Sequence, residues 1–431
     1  MSFDAPPRAP RRIAIVGGGI SGLAAAHLLA GQNRVTLFEA APRLGGHART
    51  VIAGLRGDQP VDTGFIVFNY ANYPHLTRLF ADLDVPVRRS DMSFGVTIDG
   101  GRLEYALRTP GTLFGQRSNL ASPMFWRMIR DVLRFAKSAE AEARDDMTVD
   151  DLIAHLGLGR GFRENYLLPI CGAIWSTPAS EVGAFPAASL LRFFRNHALL
   201  EPTGQHQWWT VDGGSIEYVR RLEARLRQVG VDLRPGSPIR AISRGAEGVT
   251  IRPEGGLPEV FDDVILACHS DQALALLSDA APEERAALSA VAYQPNRVIL
   301  HRDPRQMPVR RRCWSSWVYQ SDGMGAEPAV GVTYWMNRLQ GIPDSDPLFV
   351  TLNPTREIAP DTIYDEVSFD HPVFDRAALR AQGEIAAMQG RRNTWFAGAW
   401  LRYGFHEDGF ASAVRVARAM AKADANTAVA A

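Results

Sequence analysis

Three spaced glycines constrain the fold of this chain more than any other feature. Residues 12–16 are apolar enough for a buried strand, Gly17, Gly19 and Gly22 follow directly, and residues 23–30 are typical of a helix. In this arrangement the first glycine permits a tight turn, the second lets the backbone approach a pyrophosphate, and the third lets the helix pack on the strand. The pattern predicts a strand–turn–helix unit that binds nucleotide phosphates at the helix start.

An acidic residue at the end of a second strand extends this prediction. Residues 34–38 are typical of a strand that ends at Glu39, and Ala40 after it is a further cofactor-binding candidate. A carboxylate about 20 residues beyond the glycines can accept hydrogen bonds from a ribose diol, and it repels a 2′-phosphate, so NADP is disfavoured. We expect Ile20 and Ser21 to lie at the helix start beside the phosphates. NAD and FAD both fit this part of the chain.

A second glycine-rich segment follows the acid. Arg43 precedes the pair Gly45 and Gly46, and His47 and Arg49 come shortly after it. Adjacent glycines let the main chain pass close to a bulky ligand, and an arginine donates charge-assisted hydrogen bonds to a pyrophosphate. A polar turn after the next strand-like stretch adds four cofactor-binding candidates, Asp62, Thr63, Gly64 and Phe65.

With these segments the chain resembles the flavin-containing amine oxidase superfamily, which also holds phytoene desaturases and protoporphyrinogen oxidases. The matching residues are Gly17, Gly19, Gly22, Glu39, the run Arg43-Leu44-Gly45-Gly46 and the distal run Phe396-Ala397-Gly398. The resemblance implies FAD as cofactor, with Glu39 on the adenosine ribose. It also implies that the glycine pair and Arg43 or Arg49 lie beside the pyrophosphate, and that Pro238 and Ile239 contact the adenine.

The last nucleotide segment leads into a helix. A strand-like run ends at Gly398, and a helix pattern begins near Asp408, Gly409 and Phe410. In the resembling family this helix start points at the flavin pyrimidine, where its positive end stabilises the charge that the ring gains on reduction.

Two positions depart from the family's pattern. His47 stands where many relatives have arginine, so Arg49 is a candidate for that role. Ala399 stands where many relatives carry an acid, so we expect a backbone contact from Gly398 or Ala399 to replace the usual side-chain contact with the ribityl chain.

The nucleotide motifs are interrupted by two long stretches, which predicts two interleaved domains. Residues 10–74, 206–274 and 386–425 are assigned to a Rossmann-type FAD-binding domain, an α/β unit with a parallel sheet. Residues 75–205 and 275–385 are rich in aromatic and apolar residues and are assigned to one composite α+β substrate domain. No second glycine fingerprint follows a strand, so an internal NAD(P)H-binding domain is not expected.

Aromatic and apolar residues in these two stretches are candidates for a substrate cavity. The apolar segment at residues 166–176 supplies Cys171, Ile174 and Trp175, although a plain core segment explains it equally well. Trp208 and Trp335 are the other predicted lining residues; the further aromatic residues considered for the cavity wall are Trp209, Trp314, Trp317 and Tyr334. Aromatic residues on short strands are by default part of the core.

One helix pattern is strongly amphipathic. Between residues 123 and 139 the apolar face carries Phe125, Met128, Val132 and Phe135, and the opposite face carries Arg127, Arg130, Arg134 and Lys137. The simple interpretation is a helix packed on the protein with a solvated basic face. The alternative is docking on an anionic membrane surface, with Trp126 near the interface.

Composition excludes several other classes. The 47 basic and 47 acidic residues cancel, which argues against a general nucleic-acid binder. Cys171, Cys268 and Cys313 show neither disulfide nor metal-ligand spacing, so no metal is expected. There is no run of 18 apolar residues and no apolar signal segment near the start. We therefore expect a cytoplasmic protein, peripheral at the inner membrane face if the basic helix docks there.

The lysine count bears on the chemistry. Many amine oxidase relatives use a lysine near flavin N5, but Lys137 and Lys422 are the only lysines here and neither lies in a flavin-facing motif. This disfavours a lysine-assisted amine oxidase. The predicted acid–base residues are His406 and Glu407, with Tyr403 as an orienting group; a structural hydrogen bond at a helix start is an equal alternative for His406.

The leading hypothesis is an FAD-dependent oxidoreductase of the dehydrogenase or desaturase type. It would transfer hydride to flavin N5 from a hydrophobic substrate, because the apolar and aromatic second half of the chain suits a long hydrocarbon. The overall length and the ending, WFAGAW at 395–400 and GFHEDG at 404–409, also resemble a bacterial subgroup linked to modified fatty acyl chains. The electron acceptor is unknown. The alternatives are a flavin amine oxidase, an FAD-dependent double-bond isomerase, and an FAD-stabilised accessory protein that binds lipid or a partner without turnover.

Overall fold

The computed structural model describes residues 10–175, 182–197, 199–200, 206–322 and 329–430. Its strands, in chain order, are β1 (Arg12–Val16), β2 (Arg34–Glu39), β3 (Thr50–Ala53), β4 (Gln59–Asp62), β5 (Val67–Asn69), β6 (Val87–Ser90), β7 (Phe94–Ile98), β8 (Leu103–Ala106), β9 (Trp208–Val211), β10 (Asp232–Pro235), β11 (Ile239–Gly245), β12 (Gly248–Pro253), β13 (Glu259–Phe261), β14 (Asp263–Leu266), β15 (Tyr293–His301), β16 (Trp317–Asp322), β17 (Ala329–Trp335), β18 (Phe349–Leu352), β19 (Ile363–Pro372) and β20 (Thr394–Phe396).

Helices connect and cover these strands. In chain order they are α1 (Ile20–Leu29), α2 (Pro74–Asp82), α3 (Pro110–Leu113), α4 (Pro123–Glu142), α5 (Val149–His155), α6 (Arg160–Phe162), α7 (Leu168–Trp175), α8 (Ala187–Asn196), α9 (Ile216–Gln228), α10 (Ser270–Leu276), α11 (Pro282–Ser289), α12 (Met336–Gln340), α13 (Arg376–Met388) and α14 (His406–Ala430).

The first sheet is parallel throughout, in the order β10-β2-β1-β14-β20. Successive side chains of β1 enter different apolar clusters. Ile13 and Ile15 pack with α1, α9 and α14, whereas Ala14 and Val16 pack with α10, α11 and α13. Burial on both faces is what a parallel sheet requires, and the predicted parallel βαβ sheet is confirmed. The carboxyl ends of its strands meet at one edge, where ligands bind in such folds.

The second sheet has seven strands in the order β19-β15-β18-β17-β16-β7-β8, and β16 with β7 is its one parallel pair. It joins strands of both predicted substrate segments. One face packs partly on α4, α5, α7 and α8 and partly on β3–β5 and α12. We call this the inner face. The outer face carries a smaller cluster around Val318 and Phe349. The predicted domain boundaries stay a prediction.

Helix α4 covers the predicted amphipathic segment and extends it to Glu142. Phe125, Met128 and Phe135 are buried, as the pattern predicts, and Ser122 caps the helix by accepting the N–H of Phe125 at 3.3 Å. Asp131 is also buried, and its Oδ2 accepts the N–H of Gly159 at 2.9 Å. The helix is therefore anchored by both apolar packing and a buried carboxylate.

Three smaller sheets complete the architecture, β3-β4, β5-β9-β6 and β11-β12-β13. Within the described ranges, no helix is both long and apolar enough to cross a membrane. The same residues contain no group of three or more histidine, cysteine or acidic side chains placed to hold a metal ion.

Candidate cofactor and substrate site

The turn between β1 and α1 has the geometry of a phosphate-binding loop. Gly17 takes a φ of 111°, and a Cβ atom on Gly22 would lie 1.8 Å from the Gly17 carbonyl oxygen, so both positions require glycine. Helix α1 begins at Ile20, and Gly19 before it supplies no capping side chain. The first N–H groups of α1, Ser21 among them, therefore lie at the sheet edge uncapped, as anion binding requires.

The following glycine-rich loop closes over the same helix start. Gly45 donates its N–H to the carbonyl oxygen of Gly18 at 2.8 Å, and a Cβ atom on Gly46 would lie 3.0 Å from the Cα of Gly19. Arg43 holds the loop by donating from Nη2 to the Gly46 carbonyl oxygen at 2.8 Å, and burial lowers the pKa of Arg43. Main-chain atoms therefore surround the helix start at close range.

The Glu39 carboxylate lies at the end of β2, beside this loop. Its Oε2 accepts the N–H of Gly18 at 2.5 Å and its Oε1 accepts that of Ala41 at 2.8 Å, while Ala40 is exposed. Residues 237–239 lie alongside, held by a 2.8 Å hydrogen bond from the first N–H of that segment to the Glu39 carbonyl oxygen. The predicted ribose and adenine contacts are therefore neighbours in space.

A second helix begins beside the first. A Cβ atom on Gly409, in the first turn of α14, would lie 2.8 Å from Cγ2 of Ile20, so the two helix starts are in direct contact. Ser412 accepts the N–H of Gly398 at 2.9 Å, which fixes the end of β20 against α14, and Ala399 keeps part of its surface accessible. Two positive helix ends thus converge on the edge predicted for the phosphates and the flavin ring.

The acids in the first turn of α14 hold neighbouring backbone. Glu407 is buried, and its carboxylate accepts the N–H groups of His75 and Leu76, at 3.1 and 3.0 Å, at the start of α2. Asp408 accepts the N–H of Phe405 at 3.0 Å, and burial raises the pKa of Asp408 to about 6. The predicted acid–base role of Glu407 is therefore corrected, because its oxygens are committed to capping a helix.

Phe410 and Tyr403 also pack against protein. Phe410 is buried in the cluster between α1 and α14. The Tyr403 ring lies 6.1 Å from the ring of Phe193 on α8, and the guanidinium carbon of Arg402 lies 5.3 Å from the Tyr403 ring centroid. The role of Tyr403 as an orienting group stays a prediction.

His406 forms a polar pair in apolar surroundings. Its Nε2 lies 2.6 Å from the hydroxyl of Tyr218 on α9, and its ring stacks on Phe65 at 4.0 Å. Burial lowers the pKa of His406 to about 3, so the imidazole is neutral near pH 7 and a weak base. Tyr218 was not a candidate in the sequence, because on a helix it counts only as one more apolar-face residue.

The polar turn at residues 62–65 contributes mainly to internal packing. Asp62 is fully buried; it accepts the N–H of Ser215 at 2.8 Å and the hydroxyl of Thr50 at 2.6 Å, and burial raises the pKa of Asp62 to about 6. Arg49 forms a two-point ion pair with Asp365 on β19, at 2.6 and 3.0 Å. The predicted cofactor contact of Asp62 is therefore corrected, because both of its oxygens stabilise the start of α9. The cofactor contact of Arg49 stays a prediction, and its ion pair joins the cofactor loop to the mixed sheet.

The remaining residues of this turn shape the loop above α1. Arg49 Nη1 donates to the hydroxyl of Thr63 at 3.2 Å, so Thr63 supports that ion pair. A Cβ atom on Gly64 would lie 2.0 Å from the carbonyl oxygen of His47, so these two segments of the main chain are in contact. Phe65 is half-buried, and its ring stacks on that of His406.

Three histidines from separate elements gather between the two sheets. The ring centroid of His47 lies 6.1 Å from that of His269 and 5.9 Å from that of His371 on β19, with Phe369 at 4.6 Å. Burial lowers the pKa of His47 to about 3 and that of His371 to about 4. None of the three residues is fully buried. Sequence spacing contained no signal for His269 and His371, because sheet pairing alone brings them to the cofactor loop.

Aromatic side chains form part of the inner face of the mixed sheet. Trp317 and Tyr334 pack edge to face at 5.1 Å, and Trp208 joins the same cluster. The Trp317 Nε1 atom is buried without a hydrogen-bond partner in the described chain. Trp335 was predicted to line this cavity, and this is corrected: it pairs with Phe349 and packs on the outer face, because neighbouring residues of a strand point to opposite sides.

The apolar segment of α7 meets the same sheet face further along. Cys171 is fully buried in the helical cluster, and burial raises the pKa of its thiol, so its predicted place on the cavity wall is corrected to a core position. A Cβ atom on Gly172 would lie 3.1 Å from the ring of Tyr319 on β16, and Ile174 is half-buried nearby. The side chain of Trp175 lies outside the described residues.

Residues 20–421 match the sequence model of the family described as flavin containing amine oxidoreductase. The chain belongs to this family. Its members bind FAD, and the protein is an FAD-dependent oxidoreductase, as the sequence motifs predict.

Individual relatives agree with this assignment. A coproporphyrinogen III oxidase of Mycobacterium leprae is 27% identical over 321 residues, which cover 68% of each chain. Among solved structures, a CLA-producing fatty acid isomerase from P. acnes has a TM-score of 0.68 at 18% identity, covering 95% of this chain and 98% of the other. A cyclohexylamine oxidase from Brevibacterium oxydans has a TM-score of 0.65 at 17% identity, covering 96% and 99%. These structures show the same fold.

The sheet edge fits FAD. An uncapped helix start and a cradle of glycine backbone, in which a Cβ atom on Gly46 would intrude, suit the pyrophosphate. Glu39 suits the ribose, and the start of α14 suits the electron-rich part of the ring. Lys137 and Lys422 are both exposed on helices, so neither lies at this edge.

Proposed function

We propose that the protein oxidises a long, apolar substrate of the fatty acyl or lipid class. The observation that carries this proposal is the apolar lining of the inner sheet face. Trp317 and Tyr319 are successive inner-face residues of β16, and Tyr319 belongs to the cluster against which Ile174 of α7 packs. A hydrocarbon chain gains free energy from contact with such a surface, at about 25 cal/mol for each Å² buried.

Within this proposal FAD supplies a two-electron acceptor at N5 of its ring. The residues of the chain position the substrate and exclude water. The Tyr218–His406 pair is the polar group beside Phe65. Tyr218 is fully buried, so the partly accessible imidazole of His406 would hold a carboxylate or carbonyl end of the substrate, and the tyrosine hydroxyl would fix the orientation of that imidazole. The likeness of fold to a CLA-producing fatty acid isomerase supports the proposal.

Amine oxidation is the second candidate. The edge-to-face pair of Trp317 and Tyr334 favours it, because aromatic rings bind a cationic or neutral amine well. The exposed positions of both lysines count against the lysine-assisted version of this reaction.

The test is anaerobic mixing of the FAD-loaded protein with fractionated bacterial lipids and with a panel of amines. Bleaching of the flavin absorbance by a fatty acyl fraction, with loss of two hydrogens detected by mass spectrometry, is the expected result. Bleaching by amines alone would replace the proposal with amine oxidation. A shifted double bond without net bleaching would indicate isomerisation, and unchanged flavin and lipid would indicate a non-catalytic accessory role.

A further inference from the structure

A basic cleft lies outside the cofactor and substrate site. It has a volume of about 520 Å³ and is lined by four arginines, Arg117, Arg310, Arg311 and Arg312, together with Ser118. This is a dense concentration of positive charge for a chain whose formal net charge is zero.

Within the described part of the chain, most of this charge is not neutralised. Arg310 pairs with the buried carboxylate of Glu104 at 2.9 Å. Among the described residues, no acidic side chain lies within ion-pair distance of Arg117, Arg311 or Arg312, and all three are exposed. The guanidinium of Arg311 instead lies 3.9 Å from the ring centroid of a tryptophan, which keeps it extended at the rim.

An exposed apolar patch adjoins the cleft. Leu120, Trp126 and Leu133 are 53, 48 and 54% exposed; Trp126 and Leu133 lie two turns apart on one face of α4, and Leu120 lies in the turn before it. The Trp126 Nε1 donates to the Leu120 carbonyl oxygen at 2.9 Å, and its ring packs at 5.1 Å on Phe114, next in the chain to the cleft. The indole is therefore held in place at the surface.

We propose that the cleft and the patch together dock the protein on an anionic phospholipid bilayer. The arginines of the cleft take a lipid phosphodiester, and the apolar side chains enter the boundary between head groups and acyl chains. Arg127 and Arg130 share the Asp131 carboxylate, at 4.0 and 3.4 Å, so together with Arg134 they leave a net positive charge beside the patch. Trp126 is the one aromatic residue of the patch, and the aliphatic Leu120 and Leu133 beside it cannot stack on bases, which favours a membrane over an RNA as the partner. The proposal does not depend on the substrate proposed above.

The test is co-sedimentation of the FAD-loaded full chain with vesicles. We expect binding to phosphatidylcholine vesicles that contain about one third phosphatidylglycerol and none to pure phosphatidylcholine. The double variant Arg117→Glu/Arg312→Glu should bind at least roughly tenfold more weakly, because each basic residue near the surface contributes about fivefold. Leu120→Ser/Leu133→Ser should also weaken binding. Both pairs are exposed, so melting temperature and flavin content should not change.

The matched control is Arg225→Glu/Arg227→Glu on α9, which reverses two exposed charges elsewhere and should bind as the unmodified protein does. Equal binding to both vesicle types, or an equal loss in this control, would overturn the proposal. So would retention on a single-stranded RNA, or a rise in melting temperature with inorganic phosphate, if either occurs without vesicle binding.

Discussion

The two large sheets form opposite sides of the candidate site by different means. At the edge of the parallel sheet the close contacts are made by backbone, as where Gly46 meets Gly19 and where Gly22 meets the Gly17 carbonyl. At the inner face of the mixed sheet the contacts are made by side chains such as Trp317 and Tyr334. The first side admits one cofactor geometry, whereas the second can change its lining without changing the fold.

This difference predicts how substitutions divide. Changes at the parallel edge should remove the cofactor or the fold, because backbone positions have no substitute. Changes at the inner face should alter substrate selection and leave the cofactor bound. The three histidines and the Arg49–Asp365 ion pair lie at the junction between the sheets. Substitutions there should change both cofactor binding and substrate selection.

The largest effect is expected for Gly22→Ala. The new methyl group would lie 1.8 Å from the Gly17 carbonyl oxygen, a backbone atom that cannot move without opening the turn. We expect a loss of about 3 kcal/mol in the free energy of unfolding, and little bound flavin by absorbance. Gly31→Ala is the control, because nothing lies within 4 Å of its added methyl group. Flavin retained in the Gly22 variant would contradict the backbone role of this edge.

Glu39→Gln should weaken FAD binding without loss of the fold. The amide would place its NH₂ group against the N–H of Gly18 or Ala41, so the residue could no longer accept both hydrogen bonds and offer charge to the ribose. We expect an increase in the Kd for FAD corresponding to about 2 kcal/mol, measured by fluorescence titration. Glu254→Gln removes an exposed carboxylate and should leave the Kd unchanged. Equal losses in both variants would exclude the ribose contact.

The buried histidines predict an acid-sensitive fold. Burial lowers the pKa of His47 and His406 to about 3 and that of His371 to about 4. On unfolding each imidazole regains a pKa near 6.5 and binds a proton, so their stabilisation is complete above about pH 6.5 and is lost as the pH falls. Asp62 and Asp408, with pKa values raised to about 6, oppose this below pH 6 because they are protonated in the folded state.

The balance of these five groups leaves a net loss of roughly 1 kcal/mol for each pH unit below 6. Urea unfolding of the apoprotein across this range measures it. His371→Phe should flatten the dependence, whereas His155→Gln, which removes an exposed histidine, should not. An unchanged slope in the His371 variant would show that the cluster is more open to solvent than its packing implies.

The edge of the parallel sheet and its FAD cofactor could be predicted from the sequence, because short motifs encode that binding chemistry. Gly17 to Gly22 and Glu39 lie within one strand–helix–strand unit, and the steric reason for each glycine is local. The inner face was less accessible to prediction. A shift of one residue in a strand moves a side chain to the other face, which separates Tyr334 from Trp335. Tyr218 and His371 reach the site only through long-range packing, and no short motif contains that information.

The smallest expected effect tests this inner-face assignment with adjacent residues. The Tyr334 hydroxyl has no hydrogen-bond partner in the described chain, and the ring keeps some accessible surface. Tyr334→Phe should therefore leave flavin content and unfolding unchanged and alter the substrate KM two- to fivefold, equivalent to about 0.5–1 kcal/mol. Trp335→Phe should do the reverse, because Trp335 packs on Trp314 at 5.2 Å on the outer face: the unfolding free energy falls by about 1 kcal/mol while KM is constant. If Trp335→Phe changed KM and Tyr334→Phe did not, the substrate would have to lie on the outer face. The edge of the parallel sheet and the inner face of the mixed sheet would then no longer form one site.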